Sequence, residues 1–315
     1  MSDFKLGILP WSQAASWPEV EAFAVDADRL GYDQVWVWDH LYAIFGDPYQ
    51  PIFEGWATLA AWAKVTEHTR LGLLVGANTF RNPALVAKVA ATIDHISGGR
   101  AILGIGGAWF ELEHVAHGID FGSSAGRRLD WLDEAVGVIR RILDGEEVTH
   151  RGDHYQFEQL RHQPLPLQPR LPIMIGGTGE RKTLRTVAKY ADVWNGMGTL
   201  ETLAHKVEVL RRHCEEVGRN PAEIEMTVGC KPLIRDDPAE ARRVWESQME
   251  HNRTPMGDVE DDVTFWVGTA ESVAEQLIAC KELGFRTAIA EVPAPYDRET
   301  MERFAGEVRA MVDAA

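Results

Sequence analysis

Asp39 and His40 close an apolar run, "VWVWDHLYAIFG" at residues 35–46, so two ionisable groups stand side by side at the end of what reads as a buried strand. A histidine titrates near neutral pH and can move protons, and a neighbouring carboxylate can orient it or hold a ligand. Taken alone, the pair also reads as caps for the strand and the next helix. A second stretch, "MIGGTGERKTLRTVAKYAD" at 174–192, runs a strand into a glycine-rich turn and then a helix expected to begin near Glu180. Glycines let backbone approach a ligand, and the N–H groups at a helix start bind anions. Gly176, Gly177, Thr178 and Gly179, followed by Arg181 and Lys182, therefore read as a phosphate cradle, with plain turn glycines as the structural alternative. In "LGLLVGANTFRNPALVAK" (71–88), Asn78, Thr79 and Arg81 offer hydrogen bonds to a flat polar ligand, although a polar loop with an Asn-Pro turn accounts for them locally. His114 and His117 lie beside Glu111 and Glu113 in "ELEHVAHG" and read as incidental histidines of a solvated helix, so no metal site is expected. HExxH, GxSxG and paired-cysteine motifs are missing, which removes the sequence case for metalloprotease or α/β-hydrolase chemistry.

Positioning these groups requires strands that end together. Apolar β-type runs are read at 5–10, 34–39, 70–80, 100–107, 172–177, 192–197, 225–234 and 287–292. Between them lie amphipathic stretches. Residues 17–31 place Val20, Phe23, Ala24 and Ala27 on one helix face and stop at Gly31. Residues 82–100 put Pro83 in a first turn and Gly98-Gly99 at the end, and 269–285 open on Thr269 and close on Gly284. Such alternation implies parallel strands with crossover helices, and eight of them favour one closed (β/α)8 TIM barrel over 1–315. A doubly wound open sheet is the alternative, but no GxGxxG follows the first strand. The largest insertion falls at about 108–170, with a helix at 127–143 and a hairpin-like stretch at 146–160. In a barrel, catalytic groups sit at the C-terminal strand ends. Asp39-His40 then share a face with Pro10-Trp11, Asn78-Thr79, Gly106-Gly107-Ala108-Trp109, Gly176 to Gly179 and Asn195-Gly196-Met197.

A net charge of −16 argues against nucleic-acid and anionic-membrane partners, which need clustered positive charge. No apolar run reaches the roughly 20 residues of a membrane span. The N-terminal "MSDFKLGILPWSQ" lacks a secretory pattern, and Cys214, Cys230 and Cys280 are scattered and odd in number, so a reducing, cytoplasmic location is expected.

Together these stretches resemble the luciferase-like monooxygenase superfamily, in particular its deazaflavin-dependent oxidoreductases. The resemblance rests on "GYDQVWVWDHL", "NTFRNPALVAKVAATIDHISGGRAILGIGGAWFELEHVAHGIDF", "IMIGGTGERKTLRTVAKYADVWN" and "VGTAESVAEQL", in the expected order from about residue 5 to 310. It implies a (β/α)8 barrel with insertions that binds coenzyme F420 or flavin mononucleotide (FMN) at its C-terminal face. The ring would rest against the third strand, where a non-proline cis peptide maps to Leu74-Val75. The cofactor phosphate would meet Gly176 to Gly179, Asp39 and His40 would lie beside the ring, and Asn78, Thr79, Gly107 and Ala108 would add contacts. His40 is the expected chemical residue, with Asp39 either as cofactor ligand or as the catalytic-site group that orients His40 and stabilises its charged form. Trp11, Ile44, Trp109 and Asn195 are expected in the substrate pocket. Family sugar-phosphate dehydrogenases carry a glutamate proton donor where this chain has Trp109 and a tryptophan where it has Ile44. Sugar-phosphate oxidation is therefore not expected; Glu111 and Glu113 are expected to face solvent, with standing in for the missing acid as the alternative. The resulting expectation is F420-dependent hydride transfer to or from a small molecule by a homodimer. The alternatives are an FMN-dependent two-component monooxygenase and a cofactor-binding barrel without efficient turnover.

Overall fold

Helix-forming and strand-forming stretches alternate, and the chain folds as that alternation demands. In the computed structural model, which describes residues 4–259 and 261–315, the first half runs β1 (Lys5–Pro10), α1 (Trp17–Arg29), β2 (Gln34–Val37), α2 (Gly55–Val65), β3 (Arg70–Leu73), β4 (Gly76–Ala77), α3 (Pro83–Ser97), β5 (Ala101–Gly106), α4 (Glu111–His117) and α5 (Ala125–Leu143). The second half runs β6 (Val148–Arg151), β7 (Gln156–Leu160), β8 (Ile173–Gly176), α6 (Thr183–Tyr190), β9 (Val193–Gly196), α7 (Leu200–Val217), β10 (Glu225–Ile234), α8 (Pro238–His251), β11 (Phe265–Gly268), α9 (Ala270–Glu282), β12 (Thr287–Val292), α10 (Arg298–Arg303) and α11 (Arg309–Ala314).

The strand order is β10-β12-β1-β2-β3-β5-β8-β9, and β9 pairs back onto β10, so the sheet closes. Every pairing around the ring is parallel. This closure excludes the open-sheet alternative. Strand β11, not read in the sequence, extends the outer half of β10 beyond the ring, from Lys231↔Phe265 to Ile234↔Gly268. It is a short edge strand in which Trp266 is buried and Val267 exposed, so its four residues carry little of the signal of a central strand. Between β5 and β8 the chain carries α4, α5 and the antiparallel β6–β7 hairpin.

Side-chain alternation along the strands builds two apolar clusters. Val35 and Val37 join the helix-facing core with Phe23, Leu59 and Leu71. Trp36 and Trp38 point the other way and pack with Leu9, Ile102, Met174 and Ile289 inside the barrel. The same parity carries His40 toward the barrel mouth.

The stretch expected as one strand at 70–80 is split. β3 stops at Leu73, β4 resumes at Gly76, and the Leu74–Val75 peptide between them is cis, where the resemblance put it. Room for this bulge comes from the neighbouring strand. A Cβ on Gly104 would sit 1.8 Å from the Leu73 carbonyl oxygen, and one on Gly106 would sit 2.7 Å from Val75 Cγ2. The alternating glycines of "LGIGG" are thus required by what lies beside them. Gly98 closes α3 in the left-handed conformation and Thr269 accepts from the Ser272 N–H, as read, and Asn82 of the Asn-Pro turn caps α3 by accepting from the Ala84 N–H. α6, expected near Glu180, begins only at Thr183 because the glycine turn is followed by a further turn over 180–182.

Candidate active site

A cavity of about 500 Å³ opens at the C-terminal ends of the barrel strands. Its wall takes Trp38, Asp39, His40, Ile44 and Phe45 from the segment after β2, and Leu74 to Ala77 from the split third strand. Gly106 to Trp109 follow from β5, Gly176 and Gly177 from β8, and Asn195 and Met197 from the end of β9.

His40 is held by Glu113. Nδ1 of His40 lies 3.0 Å from Oε1 and 3.2 Å from Oε2 of that carboxylate. Glu113 also accepts the Leu41 N–H at 2.8 Å, and its side chain is only 1% exposed. The expectation that Glu113 faces solvent is therefore wrong. Helix α4 turns its Glu113–His114 side inward, and the N–H groups that follow β2 need an acceptor. With Nδ1 donating to the carboxylate, Nε2 of a neutral His40 carries the lone pair. No hydrogen bond to Nε2 occurs among the described residues, and the ring lines the cavity. Such a nitrogen can accept a proton from a bound hydroxyl and, once protonated, return it.

Asp39 does something else. Arg81 donates to both its oxygens, at 2.7 and 3.1 Å, and the Ala77 N–H donates to Oδ2 at 2.9 Å. Arg81 also pairs with Glu54, whose carboxylate caps α2 through the Ala57 N–H. Burial pushes the Asp39 carboxyl above the usual range, while Arg81 and the Ala77 N–H pull against it. Asp39 thus ties the segment after β2 to β4 and α2. Arg81, read as a ligand-facing donor, is committed to this pair.

At the β8 end, Gly177 has φ +121° and a Cβ there would sit 3.3 Å from Thr183 Cγ2. A Cβ on Gly176 would meet Val75 at 3.0 Å, and one on Gly179 would meet Thr183 Oγ1 at 2.8 Å. The turn is glycine because each position presses on a neighbour. Arg128 on α5 lines the same cavity, a cation that sequence reading missed. Arg128 is buried and, among the described residues, donates to the carbonyls of Ala108 and Phe121, both at 3.3 Å, with its guanidinium 3.7 Å over the Phe121 ring. It forms no ion pair among the described residues. A buried cation and a glycine turn in one cavity suit a phosphate group.

Of the expected site residues, Asp39, His40, Ile44, Leu74, Val75, Gly107, Ala108, Trp109, Gly176, Gly177 and Asn195 line this cavity. Thr178 and Gly179 continue the turn outside its lining. Trp11 stands behind the wall, stacked at 3.9 Å on Phe45. Asn78 and Thr79 are not brought to the cavity. Asn78 donates to the Tyr155 hydroxyl at 3.1 Å, and the Thr79 hydroxyl meets His114 Nε2 at 2.7 Å. The break at Leu74–Val75 shifts the parity of the residues after it, so these strand-end polar groups face the insertion. His114 is fully buried, with Nδ1 on the Phe110 carbonyl, which corrects the reading of a solvated helix for that residue. Lys231 and Glu291 also line the cavity and were not singled out in the sequence. They belong to long apolar strands, where only the inward parity marks them.

A family model described as "Luciferase-like monooxygenase" matches residues 5–287. The chain belongs to this family. Within it, the chain is 27% identical over 96% of its own length and 96% of the relative's to an F420-dependent glucose-6-phosphate dehydrogenase of Kineococcus radiotolerans. It is 33% identical to an uncharacterised protein of Mycobacterium tuberculosis over 187 residues, which covers 59% of this chain and 65% of the relative, just under two thirds of that protein. The luciferase-like barrel superposes on that of an F420-dependent secondary alcohol dehydrogenase solved with an F420–acetone adduct. The TM-score is 0.83, with 99% of each chain covered at 22% identity.

Proposed function

We propose that this luciferase-like protein is an oxidoreductase dependent on coenzyme F420, transferring a hydride between the deazaflavin and a small organic substrate. The observation that carries the reading is the His40–Glu113 pair, set in a largely apolar cavity whose far wall is the bulge and glycine turn described above. Dehydrogenases named for F420 among its relatives and structural neighbours support it.

The residues fit that cofactor. Leu74, Val75, Gly106 and Gly107 offer a flat, apolar support for a ring, and Gly176, Gly177 and Arg128 offer a cradle and a cation for a phosphate. Bound F420 supplies the hydride donor or acceptor; the protein supplies position, a water-poor wall and proton handling. His40 Nε2 holds or takes the proton of a substrate oxygen, and Glu113 fixes the ring and balances the charge it then carries. Trp109 at the rim and Ile44 in the wall are the substrate contacts; neither can act as an acid, which speaks against sugar phosphates. Homodimer formation belongs to this reading, with exposed Leu85 and Ile96 on one side of α3 as apolar surface for a second copy. So does a cytoplasmic location, supported by three free, buried cysteines.

Flavin mononucleotide with a monooxygenase reaction is the alternative, which the family's description favours. Calorimetric titration of both cofactors decides between them: tighter F420 binding is expected, and tighter flavin mononucleotide binding overturns the reading.

A further inference from the structure

The cavity holds a second ionisable group on a wall that the His40–Glu113 pair does not reach. Along β12, Ile289 belongs to the apolar cluster inside the barrel, so Glu291, two residues on, points the same way one layer nearer the mouth. Along β10, Val228 and Cys230 face the helices, and Lys231 takes the inward parity. Both side chains line the cavity, with Glu291 7% and Lys231 4% exposed. Lys231 is fixed from the side: Nζ donates to Thr264 Oγ1 at 2.6 Å and to Asp262 Oδ2 at 3.1 Å, and lies 4.9 Å from the Phe265 ring centroid. The Glu291 carboxyl has no ion pair among the described residues. The Trp11 indole N–H beside it is buried without a close partner.

We propose that Glu291, backed by Lys231, is the substrate-binding acid of this cavity, its carboxyl O–H donating to the oxygen of an uncharged ketone or alcohol. This assigns a substrate class to the hydride-transfer reading and rests on it. The charges around the group support an uncharged partner. The Lys231 ammonium is already matched by Asp262, and an anionic substrate would share the cavity with the Glu113 and Asp39 carboxylates. Burial pushes the Glu291 carboxyl above the usual carboxylate range; the Lys231 ammonium pulls it back, Asp262 pushes it further up, and the Trp11 N–H pulls weakly down. Asp39, His40, Glu113 and Arg128 are the other titratable or charged groups that line the cavity with it, and Cys230 lies on the helix side of β10. A buried carboxyl that holds its proton serves as a hydrogen-bond donor.

Three measurements test this. Infrared difference spectra of the cofactor-free protein against Glu291→Gln should show a protonated carboxyl that titrates above the ordinary range, and Lys231→Met should move that midpoint up. In the F420-loaded protein, calorimetry with cyclohexanone should show affinity falling about tenfold as pH rises through the midpoint. The profile should be flat in Glu291→Gln, whose amide still donates, and about tenfold weaker at every pH in Glu291→Leu, the loss of one hydrogen bond to a buried group. Cyclohexanone binding that ignores both pH and Glu291→Leu, or no binding at any pH, overturns the proposal. So does a Glu291 carboxyl that is ionised throughout. If Lys231→Met fails to fold, the wild-type and Glu291→Gln profiles decide alone. Loss of F420 binding by the wild-type protein would instead sink the cofactor reading, and the infrared result would stand apart from it.

Discussion

His40 Nδ1 and Glu113 Oε1 lie 3.0 Å apart although 73 residues separate them in the chain. The sequence pairs His40 with Asp39; the fold pairs it with a helix after the fifth strand. His40→Ala should lower kcat by roughly 10²-fold or more, the scale of general acid–base assistance. F420 affinity, measured by fluorescence titration, should stay within a fewfold. Full turnover in His40→Ala would make the pair structural.

Glu113 has two duties, so its variants should separate. Glu113→Gln keeps an oxygen acceptor for the Leu41 N–H but loses the charge that stabilises a protonated His40. It should mainly lower kcat, by about tenfold, with a shifted pH–rate profile. Glu113→Ala also strands a buried donor, which costs about 1–3 kcal/mol, and thermal unfolding should show the loss. Equal effects of the two variants on kcat and Tm would contradict this division.

Asp39 is buried against the half-buried Arg81, and removing the guanidinium leaves a buried carboxylate without its cation. Arg81→Met should destabilise the protein by about 3–5 kcal/mol in denaturant titrations. Asp39→Ala/Arg81→Met together should cost less than the sum of the singles. Additive losses would show that the two side chains act independently.

Gly177→Val places a side chain at φ +121° and against Thr183 Cγ2. Strained backbone of this type costs on the order of 1–3 kcal/mol. F420 affinity should fall at least about tenfold while the circular dichroism spectrum is retained. Unchanged affinity in the folded variant removes the glycine turn from the cofactor site.

Arg128→Met tests the phosphate contact separately from the ring. F420 affinity should drop about tenfold and lose part of its salt dependence, whereas the deazaflavin riboside that lacks the phosphate should bind the variant as it binds the wild type. An equal loss for both ligands would mean that Arg128 shapes the cavity and does not meet the phosphate.

Local physics alone determined much of this protein. Strand and helix periodicity, glycine stops and Asn, Ser and Thr caps depend on neighbours within a few residues, so the eight-strand alternation was legible. So was the parity that sends Trp36, Trp38 and His40 into the barrel and its mouth. The resemblance carried by the motif order also placed the cis Leu74–Val75 bulge. Tertiary structure decided which polar groups meet. Glu113 was read as solvent-facing because its own helix shows no signal of burial; it is buried because it answers the N–H of Leu41 and the ring of His40. Asn78 and Thr79 turned away because the bulge changes the strand's parity, and their partners, Tyr155 and His114, lie in the insertion. Arg81, Arg128, Lys231 and Glu291 acquire meaning only through contacts across elements. Hydrogen bonds and ion pairs act over a few ångströms of space whatever the chain separation, and a single sequence does not state those distances.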